Sequence, residues 1–598
     1  MVHLALIDWV IIIAYFALSL YVGVIHTRIA GKSLKDFFIS SNSLPWWALG
    51  ISMVATTFST DTPNLVTDII RQNGVSGNWV WWAFLLTGML TVFFYARLWR
   101  RAGLLTDMEF YELRYSGKPA SFLRGFRAVY LGLFFNIMIM ASVTLAATKI
   151  GLVLFGWSKV TVIIVCCSVT VLYSMLSGMW GVVVTDVVQF ILAMTGAIAA
   201  AYFSLKRPEV GGLSGMISKI DMSKLSMLPD FSNWSVMLPI FIVPLAIQWW
   251  STWYPGAEPG GGGYIAQRML ASRDEKQSLL SVLLFNVAHY ALRSWPWIIV
   301  ALCSIIVFPD LRTALSPEQI SVIGGVQNIR QDLGYSVMLR FLPAGFLGIM
   351  VVSLAAAYMS TISTHLNWGA SYLVNDTYKR FMNKNASEKH YIMVSRWITL
   401  GLMFLAGLIT LLLENALQAF QILLTIGAGT GLIYILRWFW WRINAWTEIT
   451  AMFSAFIVSI YIKFIHTKVL GYPQMPDHIA LLVTIVITTI VWLIATFAVK
   501  PSDEEKKKLL SFYRFIKPAG PGWKMIAKEA PEVKPDMNIG SAFFAWILGC
   551  VMVYSALFGT GYILYRRPIG FLLYVVTILC ALLIVRMRSN FGWSKEVK

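Results

Sequence analysis

Apolar runs of about twenty residues, parted by short polar interruptions, follow one another along nearly the whole chain. At 1.5 Å of rise per residue, each is long enough to cross the roughly 30 Å hydrocarbon layer of a bilayer as a helix. About fifteen helical spans are expected, near 7–26, 45–73, 78–99, 122–154, 159–177, 179–205, 234–255, 279–309, 338–375, 395–413, 417–440, 448–466, 477–499, 541–564 and 568–587. A short turn at Ser177–Gly181 separates the fifth run from the sixth. Three longer polar excursions remain, at about 206–233, 310–334 and 501–538.

Two runs are interrupted from within. The second begins Leu44-Pro45-Trp46-Trp47 and contains Thr56-Thr57-Phe58-Ser59-Thr60-Asp61-Thr62-Pro63-Asn64. The seventh ends in Trp253-Tyr254-Pro255-Gly256-Ala257-Glu258-Pro259, followed by four glycines, Gly260 to Gly263. Proline removes a backbone donor and glycine costs about 1 kcal/mol against alanine, so neither stretch favours regular helix. In lipid, irregular backbone survives where it lines a cavity or packs on protein. The two breaks stand five spans apart, the spacing expected of an inverted repeat with a midplane site between two broken helices.

Composition agrees with a bundle in lipid: 58% of residues are hydrophobic and 13% charged, where soluble chains carry about 25% charged residues. The net charge of +19 does not signal nucleic acid, because the basic residues lie in short loops between apolar runs. Arg28, Lys32 and Lys35, then Arg97, Arg100 and Arg101, then Arg268, Arg273 and Lys276, then Lys379, Arg380, Lys384 and Lys389 follow odd-numbered spans. The positive-inside rule puts those loops in the cytoplasm, with the N-terminus outside and the C-terminus inside; Arg566 and Arg567 depart from it. The first apolar run has no charged segment before it and no small-residue cleavage site after it, and reads as a retained helix. The five cysteines lie in apolar stretches without metal-ligand spacing, and no cofactor is expected.

Polar groups inside the runs carry the candidate chemistry. Ala357, Ser360, Thr361 and Thr364 share one helical face, offering close approach and neutral oxygen ligands for a hard monovalent cation. Tight helix packing, with each hydroxyl bonded to its own helix, is the plainer account of the same pattern. Asp186 is an acid within a span, a functional candidate by its cost, or else a carboxylate placed at a helix N-terminus. Asp61 could bind solute or cap the second half-helix, and Glu258 at the other break has the same two readings. Gln248, Trp249, Trp250, Trp253 and Tyr254 could hold a sugar-like solute or form an interfacial belt. His289 and His365 read as satisfied interior histidines, and no nucleophile, zinc or phosphate-loop motif supports an enzyme.

Several motifs in order resemble the sodium:solute symporter family: Asp36-Phe37-Phe38 with Leu44-Pro45-Trp46-Trp47, Thr106-Asp107-Met108-Glu109-Phe110 with Arg114-Tyr115, Thr185-Asp186-Val187-Val188-Gln189, Tyr264-Ile265-Ala266-Gln267-Arg268, and the ninth run ending Asn375-Asp376-Thr377-Tyr378-Lys379. They cover about residues 5 to 445. The resemblance implies an all-α integral membrane fold of the LeuT type, with two inverted five-helix repeats, one extra N-terminal helix and four extra C-terminal ones. The expected division is 1–44, 45–206, an outer loop 207–233, 234–445, and 446–598 with its cytoplasmic loop at about 501–538. By the same resemblance, a main sodium site would use backbone oxygens of Ala55, Phe58 and Ala357 and hydroxyls of Ser360 and Thr361. A second sodium would use Asp186, Ser360, Ser363 and Thr364.

The seventh run departs from the family pattern, being longer and richer in glycine. The solute neighbourhood is therefore placed only at Thr57, Asp61, Gln248, Trp253 and Gln421. The expectation is a multi-pass protein of the plasma (inner) membrane that couples sodium to a small polar solute, a sugar or polyol. The alternatives are a sodium-coupled amino-acid or carboxylate symporter, with Lys149 or Arg293 as cationic partner, and a solute sensor that moves nothing.

Overall fold

The computed structural model describes residues 4–30, 33–323, 325–413 and 416–588. Among them the chain is helical, and its only β pairing is two isolated bridges, Leu44 with Ser272 and Thr252 with Ala428. Helix α1 runs Leu6–Ala30. The second run is broken as its sequence foretold, into α2 (Trp46–Thr57) and α3 (Asp61–Asn73). Then come α4 (Val75–Ala102), α5 (Gly117–Phe155) and α6 (Lys159–Leu205). The second set holds α7 (Trp234–Ser251), α8 (Gly263–Ala271), α9 (Glu275–Val307), α10 (Phe346–Met382), α11 (Glu388–Thr410), α12 (Ala416–Gly427) and α13 (Gly431–Phe439). The chain finishes with α14 (Ala445–Val469), α15 (Asp477–Ala498), α16 (Asp503–Ile516), α17 (Ile539–Leu564) and α18 (Ile569–Arg586).

Eleven helices among the described residues are long and apolar enough to cross a membrane. The other expected spans are α1, the pair α2 and α3, the first part of α6, and the pair α12 and α13. Two of these differ from the sequence reading. The run expected at 417–440 is not continuous: it stops at Gly427 and restarts at Gly431. There it meets the break after α7, where Trp253 N–H donates to Gly427 O (3.0 Å) and Gly429 N–H to Ser251 O (2.8 Å). The expected turn at Ser177–Gly181 is helical, inside a 47-residue run. A straight helix would set Cys167 and Ala193 roughly 39 Å apart along its axis. Yet Cys167 Sγ lies 3.8 Å from Tyr358 Oη, and Ser353 Oγ donates to Ala193 O at 3.1 Å, five residues away on α10. The run must therefore double back between them, giving the two antiparallel spans the hydropathy pattern implied.

Helix α10 lies at the centre, with nearly every side chain from Val352 to Ser371 buried. At the periphery, α18 and α11 turn Phe571, Leu572, Leu582, Trp397 and Phe404 outward, as lipid-facing helices should. The 501–538 loop is more than a polar excursion. Helix α16 buries Leu509, Phe512, Tyr513 and Ile516, an i, i+3, i+4, i+7 stripe, beneath the charges of its first turn. Beyond it, Asp536 joins Glu275 in binding Arg97 and Arg101 at 2.7–3.0 Å, tying α4, the start of α9 and the approach to α17 together at one end of the bundle.

A second tie holds Glu112, in the loop between α4 and α5, to Arg124 (2.7 Å), Arg380 (2.9 Å) and Ser121 (2.7 Å). Burial pushes the Glu112 carboxyl up, but hydrogen bonds from Arg380, Ser121 and Arg124 outweigh it and bring it down to about 2, from an ordinary 4.5. A carboxyl held below its unfolded value stabilises the fold above pH 4.5, and that contribution disappears as pH falls toward 2. A Glu112→Gln variant should thus melt below the parent at neutral pH, by a margin that closes over that window. A margin unchanged by acid would show that Glu112 does not anchor α5 to α10 as an ion.

Candidate functional site

The first break follows from its residues. Threonines at the end of α2 turn back on their own helix, Thr56 Oγ1 to Ser52 O (2.9 Å) and Thr57 Oγ1 to Val54 O (2.9 Å). The Phe58 N–H closes the helix on Ala55 O at 3.0 Å, and Phe58 leaves helical geometry. Helix α3 restarts at Asp61 with Pro63 in its first turn, where a missing N–H costs nothing. The second break is longer. Pro255 disfavours helix at Tyr254, and Gly256, Gly260, Gly261 and Gly263 hold positive φ angles of 82°, 75°, 75° and 55°.

Helix α10 lays its hydroxyls against the first break. Thr361 Oγ1 donates to Thr56 O across the helix pair at 2.7 Å and lies 3.0 Å from Ala357 O. Thr364 and Thr56 meet through their hydroxyls at 3.0 Å. Ser360 Oγ donates to Asp186 Oδ1 (2.6 Å) and Ser52 Oγ to Asp186 Oδ2 (2.5 Å), so one fully buried carboxylate joins α2, α6 and α10. Ser363 turns to Ser360 O at 3.2 Å. Of the expected main-site residues, Thr361 and Ala357 meet the first break at Thr56, flanked by Ala55 and Phe58, with Ala55 O accepting from Phe58 N–H; Ser360 turns instead to Asp186, beside Ser363 and Thr364.

A cavity of about 110 Å³ lies beside these oxygens, between the two breaks. Thr57 and Asp61 line it, with Trp81, Tyr254, Tyr264 and Phe420 as aromatic walls. Arg293 and His289 also face it. Arg293 donates to Thr57 O and to His289 O (3.1 Å), while His289 Nδ1 and Thr57 Oγ1 form a 2.9 Å hydrogen bond. The other three expected solute residues lie outside this lining. Gln248 donates to Val80 O (2.7 Å), Trp253 packs edge-on against Phe135, and Gln421 follows the lining residue Phe420. Hydroxyls set among aromatic walls suit a polyhydroxylated solute, stacking its ring and pairing its oxygens.

Sequence reading missed Ser52 and Arg268. Arg268 is fully buried and donates to Thr364 Oγ1 (2.7 Å), Ser52 Oγ (3.3 Å) and Gln267 Oε1 (3.0 Å). Its place among the basic loop residues suggests a topology signal, but α8 carries it inward to face the Asp186 network. Ser52, one turn before Thr56 on α2, was the available clue to that network.

Comparison with known proteins adds the following. A family model described as Sodium:solute symporter family matches residues 37–457. The chain is 23% identical over 520 residues to a sodium/glucose cotransporter of Vibrio parahaemolyticus, covering 84% of this chain and 92% of that one. It is 23% identical over 500 residues to the human sodium/myo-inositol cotransporter 2, covering 77% and 70%. It is 22% identical over 496 residues to a sodium/mannose cotransporter of Bos taurus, covering 78% and 80%. Among solved structures, a Na+-coupled sialic acid symporter in a substrate-bound outward-open state superposes with a TM-score of 0.65 at 19% identity, covering 83% of this chain and 99% of that one. The shared fold is LeuT-type: two five-helix repeats, each opened by a broken helix.

Proposed function

We propose, from the premise that this chain belongs to the sodium:solute symporter family, that it imports a small polar solute, a sugar or polyol, by alternating access driven by sodium. The observation that carries this reading is the oxygen set at the first break: Thr361, the Ala357 and Thr56 carbonyls and Ser360 crowd one buried point on two helices that belong to different repeats. A cation bound there favours one arrangement of the repeats over the other, which is all that coupling requires. Ala55, Phe58, Ala357, Ser360 and Thr361 form the main sodium site in this proposal. Asp186, Ser360, Ser363 and Thr364 form a weaker second one, since Arg268 already sets a positive charge one hydroxyl away from Asp186.

The sugar or polyol assignment draws on the cotransporters of glucose, myo-inositol and mannose that this chain resembles, and on the hydroxyl and aromatic lining of the cavity. A solute with a carboxylate is the second reading, favoured by Arg293 in that lining. In this proposal the protein spans the plasma (inner) membrane with its N-terminus outside, and 45–206 and 234–445 are the two moving repeats.

Uptake into proteoliposomes tests the reading directly. A panel of sugars, polyols, amino acids and carboxylates should yield a solute whose accumulation needs an inward sodium gradient. Accumulation indifferent to sodium and driven by a pH gradient would overturn the sodium assignment. Ser360→Ala and Thr361→Ala should each raise the sodium concentration for half-maximal uptake about tenfold, as expected for the loss of ~1.5 kcal/mol of ion–oxygen interaction. Unchanged sodium dependence in both would remove α10 from the ion site.

A further inference from the structure

We propose that Glu258, in the glycine-rich break after α7, is a proton-binding site: it is a neutral carboxylic acid while the inner side is sealed and gives its proton to cytoplasmic water when that side opens. Glu258 is 3% exposed, and neither carboxylate oxygen has a hydrogen-bond partner. An ionised carboxylate so placed would lose its hydration, with only the backbone N–H groups of Gly256 and of Glu258 itself near enough to offset part of that loss.

The site is built around that side chain. A Cβ on Gly263 would fall 2.5 Å from Glu258 Oε1, and one on Gly262 would fall 3.4 Å from Glu258 Cγ and 3.7 Å from Asp107 Oδ2. The last two glycines of the run therefore form the cradle that Glu258 fills, and two carboxylates flank a single peptide. Asp107 is the better supplied of the two: it accepts from Gly263 N–H at 3.0 Å and from the Tyr372 hydroxyl, at the N-terminus of α8, whereas Glu258 accepts no well-formed hydrogen bond. Asp107 is thus equipped to hold the negative charge, and a second charge beside it has less support. Around Glu258 the ionisable groups are Asp107 before α5, Tyr254 in the break itself and Tyr264 on α8, while Arg127 of α5 and Arg437 of α13 act on Asp107 from beyond it. No lysine or arginine forms an ion pair with Glu258 among the described residues.

Gly256, Ala257 and Tyr264 line the cavity and Glu258 follows Ala257 directly, so Glu258 stands just behind the cavity wall, on the side where Asp107 packs. Its part in opening rests on the transport reading above; its protonation does not. Infrared spectra of the full chain in liposomes at neutral pH should show a carboxylic-acid C=O band that shifts on 13C-glutamate labelling. Glu258→Gln, of the same shape as the neutral acid, should lose that band. A band that ignores the label, or that survives in Glu258→Gln, overturns the proposal. Because the label marks every glutamate, Glu258→Asp serves as the second variant should Glu258→Gln not fold: its acid carries no label, so the label-sensitive band should vanish there too, and the result stands whether or not sodium drives uptake.

Discussion

Asp186→Ala should lower stability by about 3–5 kcal/mol and weaken the sodium response of uptake, through the second site and through the Ser360 hydroxyl that it holds in place. The carboxylate receives hydroxyls from Ser52 and Ser360, and through Ser52 it faces the guanidinium of Arg268, all fully buried. Deleting it leaves a buried cation without a counter-charge and two hydroxyls without their acceptor. Asp186→Asn should be milder in stability, since the amide keeps an acceptor for one hydroxyl. The double variant Asp186→Ala with Arg268→Met should regain much of the lost melting temperature, because both charges leave the interior together. It should not regain the sodium response. Melting curves in detergent with sodium titrations of uptake separate the two effects, and an Asp186→Ala protein that melts like its parent would dissolve the argument.

Gly427→Ala should be among the more damaging single methyls that could be added to the bundle. A Cβ there would stand 2.1 Å from the Trp253 carbonyl oxygen and 3.3 Å from its nitrogen, backbone atoms that cannot rotate aside. The same Trp253 N–H donates to Gly427 O, so the methyl would part α12 from the break after α7 and free both groups. Overpacking of this kind costs about 3 kcal/mol. Because the contact fixes the second break, solute uptake should vanish even in the fraction that folds. Gly401→Ala, where a Cβ meets nothing within 4 Å, is the matched control on a helix of the same set. Equal behaviour of the two variants would mean that the Trp253–Gly427 contact is dispensable.

The spans and the two breaks were legible because each rests on local signals: apolar length, proline, glycine and hydroxyl runs. The face of α10 was legible for the same reason, and Thr361 and Thr364 do meet the first break while Ser360 turns to Asp186. What failed were readings that depend on another segment. The 417–440 run looks like unbroken helix until Thr252 and Trp253 meet it. The charges Asp503 to Lys508 hid the buried stripe of α16. Arg268 obeyed the positive-inside pattern by position yet points to the interior, since α8 is a half-helix that begins within the bundle. Gln248 and Trp253 were singled out by residue type, but backbone geometry turns them to Val80 O and Phe135.

The knot of Arg97, Arg101, Glu275 and Asp536 lies, in the proposed orientation, on the inner face and would then bear on how often that side opens. Its side chains are 11–29% exposed, so mobile ions reach them. Their attraction therefore weakens as the Debye length shrinks, from about 30 Å at 0.01 M salt to about 8 Å at 0.15 M. Any dissolved salt, potassium or choline as much as sodium, should loosen this clasp and shorten the sealed interval. On the proposed transport reading, uptake should then vary with total ionic strength on that face, through screening, apart from any ion bound by name.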